Sequence, residues 1–271
     1  MRPRLSIVIV SYNARHDLAR CLDSLLRDAP STAHEILVID NASSDGSADL
    51  ARQRPGVRVI EAGANVGFAK ANNLGIRASQ GDVVLLLNSD TIVPPSTVDR
   101  LVEELDGHPD VAVVGPRLVD GAGRAELSFG WMIGPVAEVR QKLLVRGSEL
   151  NWPILQGMVE RMTRRRRFPD WVSGACLLVR RADADAVGLL DERFFMYTED
   201  VDFCAAIRAR GRRVLFAPEI EVVHLRGRSA AAAPRATSAA YERSRLAFYD
   251  KHHPRWSPLL RAYLRLRGRL P

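Results

Sequence analysis

Unbroken apolar runs constrain this chain most. Leu5–Val10, Ile36–Ile39 and Val83–Leu87 show none of the strict apolar–polar alternation of a half-exposed strand. Such runs mark strands buried on both faces, as in a parallel sheet covered by helices. Between the first two, Leu18, Cys21, Leu22, Leu25 and Leu26 return at helical spacing. Ser43–Ser47 forms a turn with capping residues, and a helix is expected to run on to about Arg54. Val57–Ile60 reads as a further strand, and a helix is expected from about Gly67 to Ala78. Strands alternating with helices at this spacing predict an α/β chain with right-handed crossovers and a mostly parallel central sheet.

The pattern changes after Pro116. Residues 120–170 read as irregular, punctuated by Gly121, Gly123, Gly130, Gly134, Pro135, Gly147, Pro153 and Gly157. The arginine-rich run Arg161–Arg167 within it is expected to be mobile. Trp171–Arg181 reads as a strand, Asp200–Arg210 as a helix, and Arg212–Phe216 as a strand. One or two helices are expected between Ser238 and Arg267, after a loop at Ala230–Pro234.

The 271 residues carry a formal net charge of +7, unevenly placed. Residues 1–120 hold 12 basic and 16 acidic groups, net −4; residues 121–271 hold 27 and 16, net +11. An acidic half followed by a basic half suits an enzyme that meets an anionic partner with its C-terminal part better than a protein that coats nucleic acid. No uncharged apolar run approaches the ~20 residues of a spanning helix. No small-residue cleavage site follows the N-terminal run, so no signal peptide is expected. Cys21, Cys176 and Cys204 lack metal-finger spacing and read as reduced, buried thiols of a cytoplasmic protein.

Ligands of an open parallel sheet bind beyond the carboxyl ends of its strands. Here those ends are polar: Ser11-Tyr12-Asn13, Asp40-Asn41 and Asn88-Ser89-Asp90. Each alone is as well explained by a cap or turn; three in one half-chain favour a site. No Gly-x-Gly-x-x-Gly follows the first strand and no Gly-x-x-x-x-Gly-Lys-Ser/Thr occurs, which argues against a dinucleotide fold and a phosphate-loop NTPase. A nucleotide held against Asp40 would then need a cation for its diphosphate, and Asp90 supplies a hard oxygen ligand.

Seven segments in order carry a more specific signal: Ile7–Asn13, Val38–Ser47, Asn65–Gly75, Leu85–Asp90, Ser173–Arg181, Asp191–Cys204, and Pro218–His224 with Gly227 and Ser229. This set resembles the family 2 glycosyltransferases of the GT-A fold, most closely their bacterial rhamnosyltransferase branch. The resemblance implies a GT-A domain over 1–229, with a nucleotide-sugar half (1–120) and an acceptor and base half (121–229). A helical basic extension, 230–271, would follow.

It implies that Ser11, Tyr12 and Asn13 line the nucleotide pocket and that Asp40 accepts the imide N–H of uracil or thymine. Asn41 and Asp45 would support that loop. Asn65, Gly67, Lys70 and Asn73 would lie beside base and ribose, and Asn88 and Ser89 would also bind the nucleotide. Asp90 and His224 would hold a divalent metal, Mg2+ or Mn2+; Asn88 stands where the family usually has a first acidic residue. Asp200 would be the general base of an inverting transfer, with Glu199 and Asp202 positioning it or the acceptor. Ser173, Gly174 and Ala175 would wall the donor sugar, and Trp171 and Trp131 would stack on acceptor sugar or fill the core.

The implied donor is a dTDP- or UDP-linked sugar, dTDP-L-rhamnose first. The implied acceptor is a saccharide, carried on polyprenyl diphosphate in many relatives of this branch, for cell-surface polysaccharide. Arg161 and Arg164–Arg167 would meet the acceptor diphosphate or anionic lipid. Leu259, Leu260, Tyr263, Leu264 and Leu266 lie among arginines, a pattern for the inner face of the cytoplasmic membrane or for packing onto the domain or a second copy of the chain, as a homodimer. Nucleic acid is not expected. A nucleotidyltransferase would need a Gly- and Lys-rich loop that is absent, and a silent binding subunit would not need Asp40, Asp90, Asp200 and His224 together.

Overall fold

The computed structural model describes residues 2–135, 137, 138, 141, 143, 144, 147, 152–225 and 234–269. Gly227, Ser229 and the Ala230–Ala233 stretch lie outside them. The strands are β1 (Leu5–Ser11), β2 (His34–Asp40), β3 (Val57–Glu61), β4 (Val83–Asn88), β5 (Thr91–Ile92), β6 (Val111–Val119), β7 (Phe129–Gly130), β8 (Trp171–Val172), β9 (Cys176–Arg180) and β10 (Arg213–His224). The helices are α1 (Arg15–Arg27), α2 (Ser47–Arg52), α3 (Phe68–Ala78), α4 (Thr97–Asp106), α5 (Pro153–Thr163), α6 (Arg181–Ala186), α7 (Glu199–Ala209), α8 (Pro234–His252) and α9 (Ser257–Leu266).

Eight strands form one sheet in the order β3-β2-β1-β4-β9-β6-β10-β5, and β7 pairs with β8. The chain leaves β1 toward β2 and β3, then returns to its other side as β4. That reversal opens a crevice at the carboxyl ends of β1 and β4. β1 to β4 are mutually parallel, as are β6 and β10. The expectation of a mostly parallel sheet needs one refinement: β9 runs antiparallel to both β4 and β6 and joins the two parallel blocks.

The apolar runs are buried on both faces as their composition requires. Leu5, Ile7 and Ile9 face one core with Leu18, Cys21 and Leu22 of α1 and Leu101 and Leu105 of α4. Val8 and Val10 face the other with Ile76 of α3 and Phe203 and Ile207 of α7. Each fully buried aliphatic side chain contributes about 1.5–3 kcal/mol relative to exposure. Gly75 lets α3 lie against the sheet, since a Cβ there would stand 2.3 Å from Val8.

A third cluster seats the C-terminal helices: Leu246, Phe248, Tyr249, Leu260 and Leu264 pack with Phe194 and Val201. The inner Leu face of α9 is thus used within the chain. The arginine run is ordered by contacts: Arg164 bonds Glu160, and Arg166 bonds Glu104 and Glu219. The run, expected above to be mobile, begins on α5 and is held by these pairs.

Candidate active site

At the crevice, Ser11 lies opposite Asp40 across the β1–β2 register. Both are buried, and Ser11 Oγ and Asp40 Oδ1 have no hydrogen-bond partner in the protein; neither does Asn88 Oδ1. Buried polar atoms of this kind are costly unless a partner satisfies them. Three at adjacent strand ends mark a place built for a polar ligand. Asp40 Oδ2 is taken by the Ser43 amide at 3.0 Å, which leaves Oδ1.

The loops around them are tied together by side chains. Asn13, at φ 48°, accepts the Ser44 amide at 2.8 Å. Asp45 accepts the Arg15 and Ser47 amides, so it joins the starts of α1 and α2. Burial raises its pKa, but the bonds from Ser47 and Arg15 outweigh it and hold the carboxyl below its ordinary value. Asn41 donates to Asn65 Oδ1 at 2.9 Å and accepts the Val66 amide. Tyr12, Asn65 and Lys70 are exposed at the rim.

Two expected nucleotide residues, Asn73 and Gly67, also tie α3 to the segment before α7. Asn73 is fully buried and bonds Leu190 through both ends of its amide, and Glu192 as well. It fastens the approach to α7 onto α3. Gly67, at φ +86°, lets the start of α3 meet Phe195, whose carbonyl accepts the Phe68 amide at 2.6 Å. A Cβ at Gly67 would stand 2.5 Å from that carbonyl.

The antiparallel direction of β9 brings its beginning to the carboxyl end of β4. The Asn88 amide donates to Ala175 O at 2.9 Å, and the Gly174 amide donates to Asp200 Oδ2 at 2.9 Å. Ser173–Ala175 therefore bridges the Asn88–Asp90 turn and the first turn of α7. Ser89 is buried on that turn. Trp171 donates to Trp131 O and is half-buried in packing, while Trp131 is 48% exposed.

Asp200 is half-buried and also accepts the Val201 amide. Burial pushes its pKa up, opposed by the Gly174 and Val201 amides. Glu199 is buried, Oε2 has no partner, and burial followed by the Asp200 charge pushes its pKa well up. Both follow two residues in the left-handed region, Tyr197 (φ 71°) and Thr198 (φ 67°). For a β-branched residue that is strain of about 1–3 kcal/mol, tolerated where the surroundings over-determine it.

Asp202 is engaged by helix α8. It is buried and held by Lys251 Nζ at 2.8 Å and His252 Nε2 at 2.6 Å, so it anchors α8.

His224 ends β10 with Nε2 3.3 Å from Asp90 Oδ1 and Nδ1 3.2 Å from Glu126 Oε2. Burial lowers its pKa, but the two carboxylates outweigh it and raise it to about 9. Among the described residues no three His, Cys, Asp or Glu side chains gather into a metal-holding group. Asp90 and His224 do offer one hard oxygen and one imidazole nitrogen facing each other, a donor pair that suits a divalent ion taking its other ligands from diphosphate and water. Sequence reasoning missed Glu126; it lies in the aperiodic stretch 120–170, with no motif to signal it.

The pattern described as Glycosyl transferase family 2 matches residues 6–186. The chain is 32% identical over 283 aligned residues to N-acetylglucosaminyl-diphospho-decaprenol L-rhamnosyltransferase of Mycobacterium tuberculosis, covering 98% of this chain and 92% of the relative. In fold it is similar to the mannosyltransferase PcManGT of Pyrobaculum calidifontis in complex with GDP-Man and Mn2+ (TM-score 0.63, 18% identity, 97% of this chain and 69% of that one). It is likewise similar to GalNAc-T7 with UDP, GalNAc and Mn2+ (TM-score 0.60, 18% identity, 82% and 44%). With its GT-A fold and this match, the chain belongs to glycosyl transferase family 2 and is a glycosyltransferase.

Proposed function

We propose that this enzyme transfers L-rhamnose from dTDP-L-rhamnose, with inversion, to a hydroxyl of a lipid-linked saccharide in cell-surface polysaccharide synthesis. One observation carries the reading: Ser173–Ala175 is hydrogen-bonded at one end to the Asn88–Asp90 turn and at the other to Asp200. A sugar against that wall would have its leaving diphosphate toward Asp90 and His224 and its other face toward Asp200. The name of the mycobacterial relative supports both rhamnose and the lipid-linked acceptor.

In this reading Asp40 Oδ1 accepts the imide N–H of thymine or uracil, beside Ser11. A divalent metal on Asp90 and His224 would neutralise charge growing on the diphosphate; the fold neighbours with Mn2+ support a metal. Asp200 takes the proton of the attacking hydroxyl while the acceptor oxygen bonds the anomeric carbon and the bond to diphosphate breaks. A raised carboxyl pKa suits a base that works near neutrality. Residues 1–120 form the nucleotide-sugar half, 121–229 the acceptor half, and 230–271 the extension.

The enzyme works at the inner face of the cytoplasmic membrane. Leu259, Tyr263 and Leu266 are exposed on α9, and Trp256 just before it, on the flank beside Leu260 and Leu264 and near Arg255, Arg261, Arg265, Arg267 and Arg269. That pattern suits an anionic lipid surface.

Thermal shift with a panel of nucleotide sugars and Mg2+ tests the donor. Stabilisation by dTDP-rhamnose, abolished by EDTA, is expected. A response to a UDP-sugar instead would replace the donor, and a response unaffected by chelator would remove the metal.

A further inference from the structure

His224 stands between two carboxylates, and only one of them lies on the side that would face a donor diphosphate. The other, Glu126, has been placed there by a specific piece of chain. β6 ends at Val119, beside Val223 of β10. A tight turn follows: Asp120 accepts the Ala122 and Arg124 amides through Oδ1, and the Gly123 amide donates to Asp120 O. Gly123 supplies the positive φ of 76° that the turn needs. The chain then folds back, Ala125 bridges to Val119, and the Glu126 amide donates to Leu118 O at 2.9 Å. Glu126 is thereby buried, 7% exposed, against the ring of His224.

The two ring nitrogens are distinct donors with distinct partners. Nδ1 lies 3.2 Å from Glu126 Oε2, and Nε2 lies 3.3 Å from Asp90 Oδ1. A carboxylate on Nδ1 accepts its N–H and so leaves Nε2 as the nitrogen with a free lone pair once a cation is bound. The same hydrogen bond fixes the ring plane and makes Nε2 a stronger donor. Glu126 meets the ring through the opposite nitrogen and so is not a ligand of an ion held by Nε2 and Asp90.

We propose that Glu126 is a positioning residue: it sets the tautomer and orientation of His224 so that Nε2 and Asp90 together bind the divalent cation. The inference rests on the reading of Asp90 and His224 as the metal pair, and the test separates the two.

Mn2+ binding is measured in the presence of dTDP by calorimetry, and the 14N coupling of the bound Mn2+ by electron spin-echo modulation. dTDP affinity without metal reports whether the pocket is intact. Glu126→Ala should weaken Mn2+ binding about 10- to 100-fold and diminish the 14N signal, with dTDP affinity unchanged. Glu126→Gln keeps an acceptor oxygen for Nδ1–H and should recover most of both. His224→Ala should abolish the 14N signal. Wild-type Mn2+ affinity and 14N coupling in Glu126→Ala, with both lost in His224→Ala, would overturn the role of Glu126 alone. An unchanged Mn2+ affinity in His224→Ala would overturn the metal pair and with it this inference. Equal loss in the Ala and Gln variants would also overturn it, because the hydrogen bond to Nδ1 would then not be what matters.

Discussion

Asp200 and Glu199 are neighbours in sequence with different surroundings. Asp200 is fixed by two backbone amides and keeps part of its surface open. Substituting Asp200→Asn preserves shape and removes the carboxylate proposed as the base. Turnover should fall about 10²- to 10⁴-fold, with donor affinity by calorimetry unchanged; near-normal turnover would take Asp200 out of the mechanism. Glu199 is buried with a partnerless oxygen, and its pKa is raised in the fold. A raised folded pKa gives stability that is full below the unfolded value and is lost as pH rises through the folded one. Glu199→Gln should therefore raise Tm at pH ~8 and leave it unchanged at pH ~4. A Tm difference that is the same at both pH values would show that Glu199 does not titrate in this way.

At the scale of elements, strands β1, β2 and β4 were plain in the sequence because burial on both faces leaves an unbroken apolar run. The direction of β9 was not, since a strand's composition carries no sign of its sense; yet that direction joins the wall to Asn88. β10 was read as ending at Phe216 because Pro218, Glu219 and Glu221 interrupt the run. The structure absorbs them in a register shift between Ala217 and Glu221 and carries the strand on to His224. Asn73 sits in a motif that suggests a ligand, but its neighbours in space are 117 residues away in sequence and no local pattern announces them.

The extension is also an element with a role. Lys251 bridges Asp191 and Asp202, and Tyr241 packs edge-on to Tyr197, one of the two left-handed residues before α7. Removing one partner of a buried charge pair is strongly destabilising, up to about 3–5 kcal/mol. For Lys251→Ala, whose ammonium is partly exposed, we expect a smaller loss of Tm together with a fall in kcat. Wild-type kcat and Tm would show that α7 needs no such clamp.

At the scale of the molecule, many arginines serve the fold itself. Arg180, Arg181 and Arg212 donate to backbone carbonyls of Val111, Ile76 and Pro109, and Arg117 pairs with Glu160 and Glu221. These are structural. Around α9, Arg261 pairs with Asp250 and Arg269 with Glu242, while Arg255, Arg265 and Arg267 lie exposed near Leu259, Tyr263 and Leu266 on the face proposed to meet lipid. Flotation with vesicles containing anionic lipid should carry the protein upward, neutral vesicles should not, and Leu259→Asp with Leu266→Asp should release it. Equal flotation with both vesicle types would overturn the charge argument. Among the described residues no helix is long and apolar enough to cross a membrane.

The three cysteines offer a practical consequence. Cys21, Cys176 and Cys204 are free and buried, and burial raises the pKa of each thiol, to about 12 for Cys21 and Cys204. Native thiols so shielded react slowly with maleimides, which need thiolate and access. A single Leu266→Cys substitution, at a position 89% exposed, would then take a fluorophore selectively in the otherwise wild-type protein. Whether α9 meets a bilayer, and how deeply, becomes readable without first removing the protein's own sulfur.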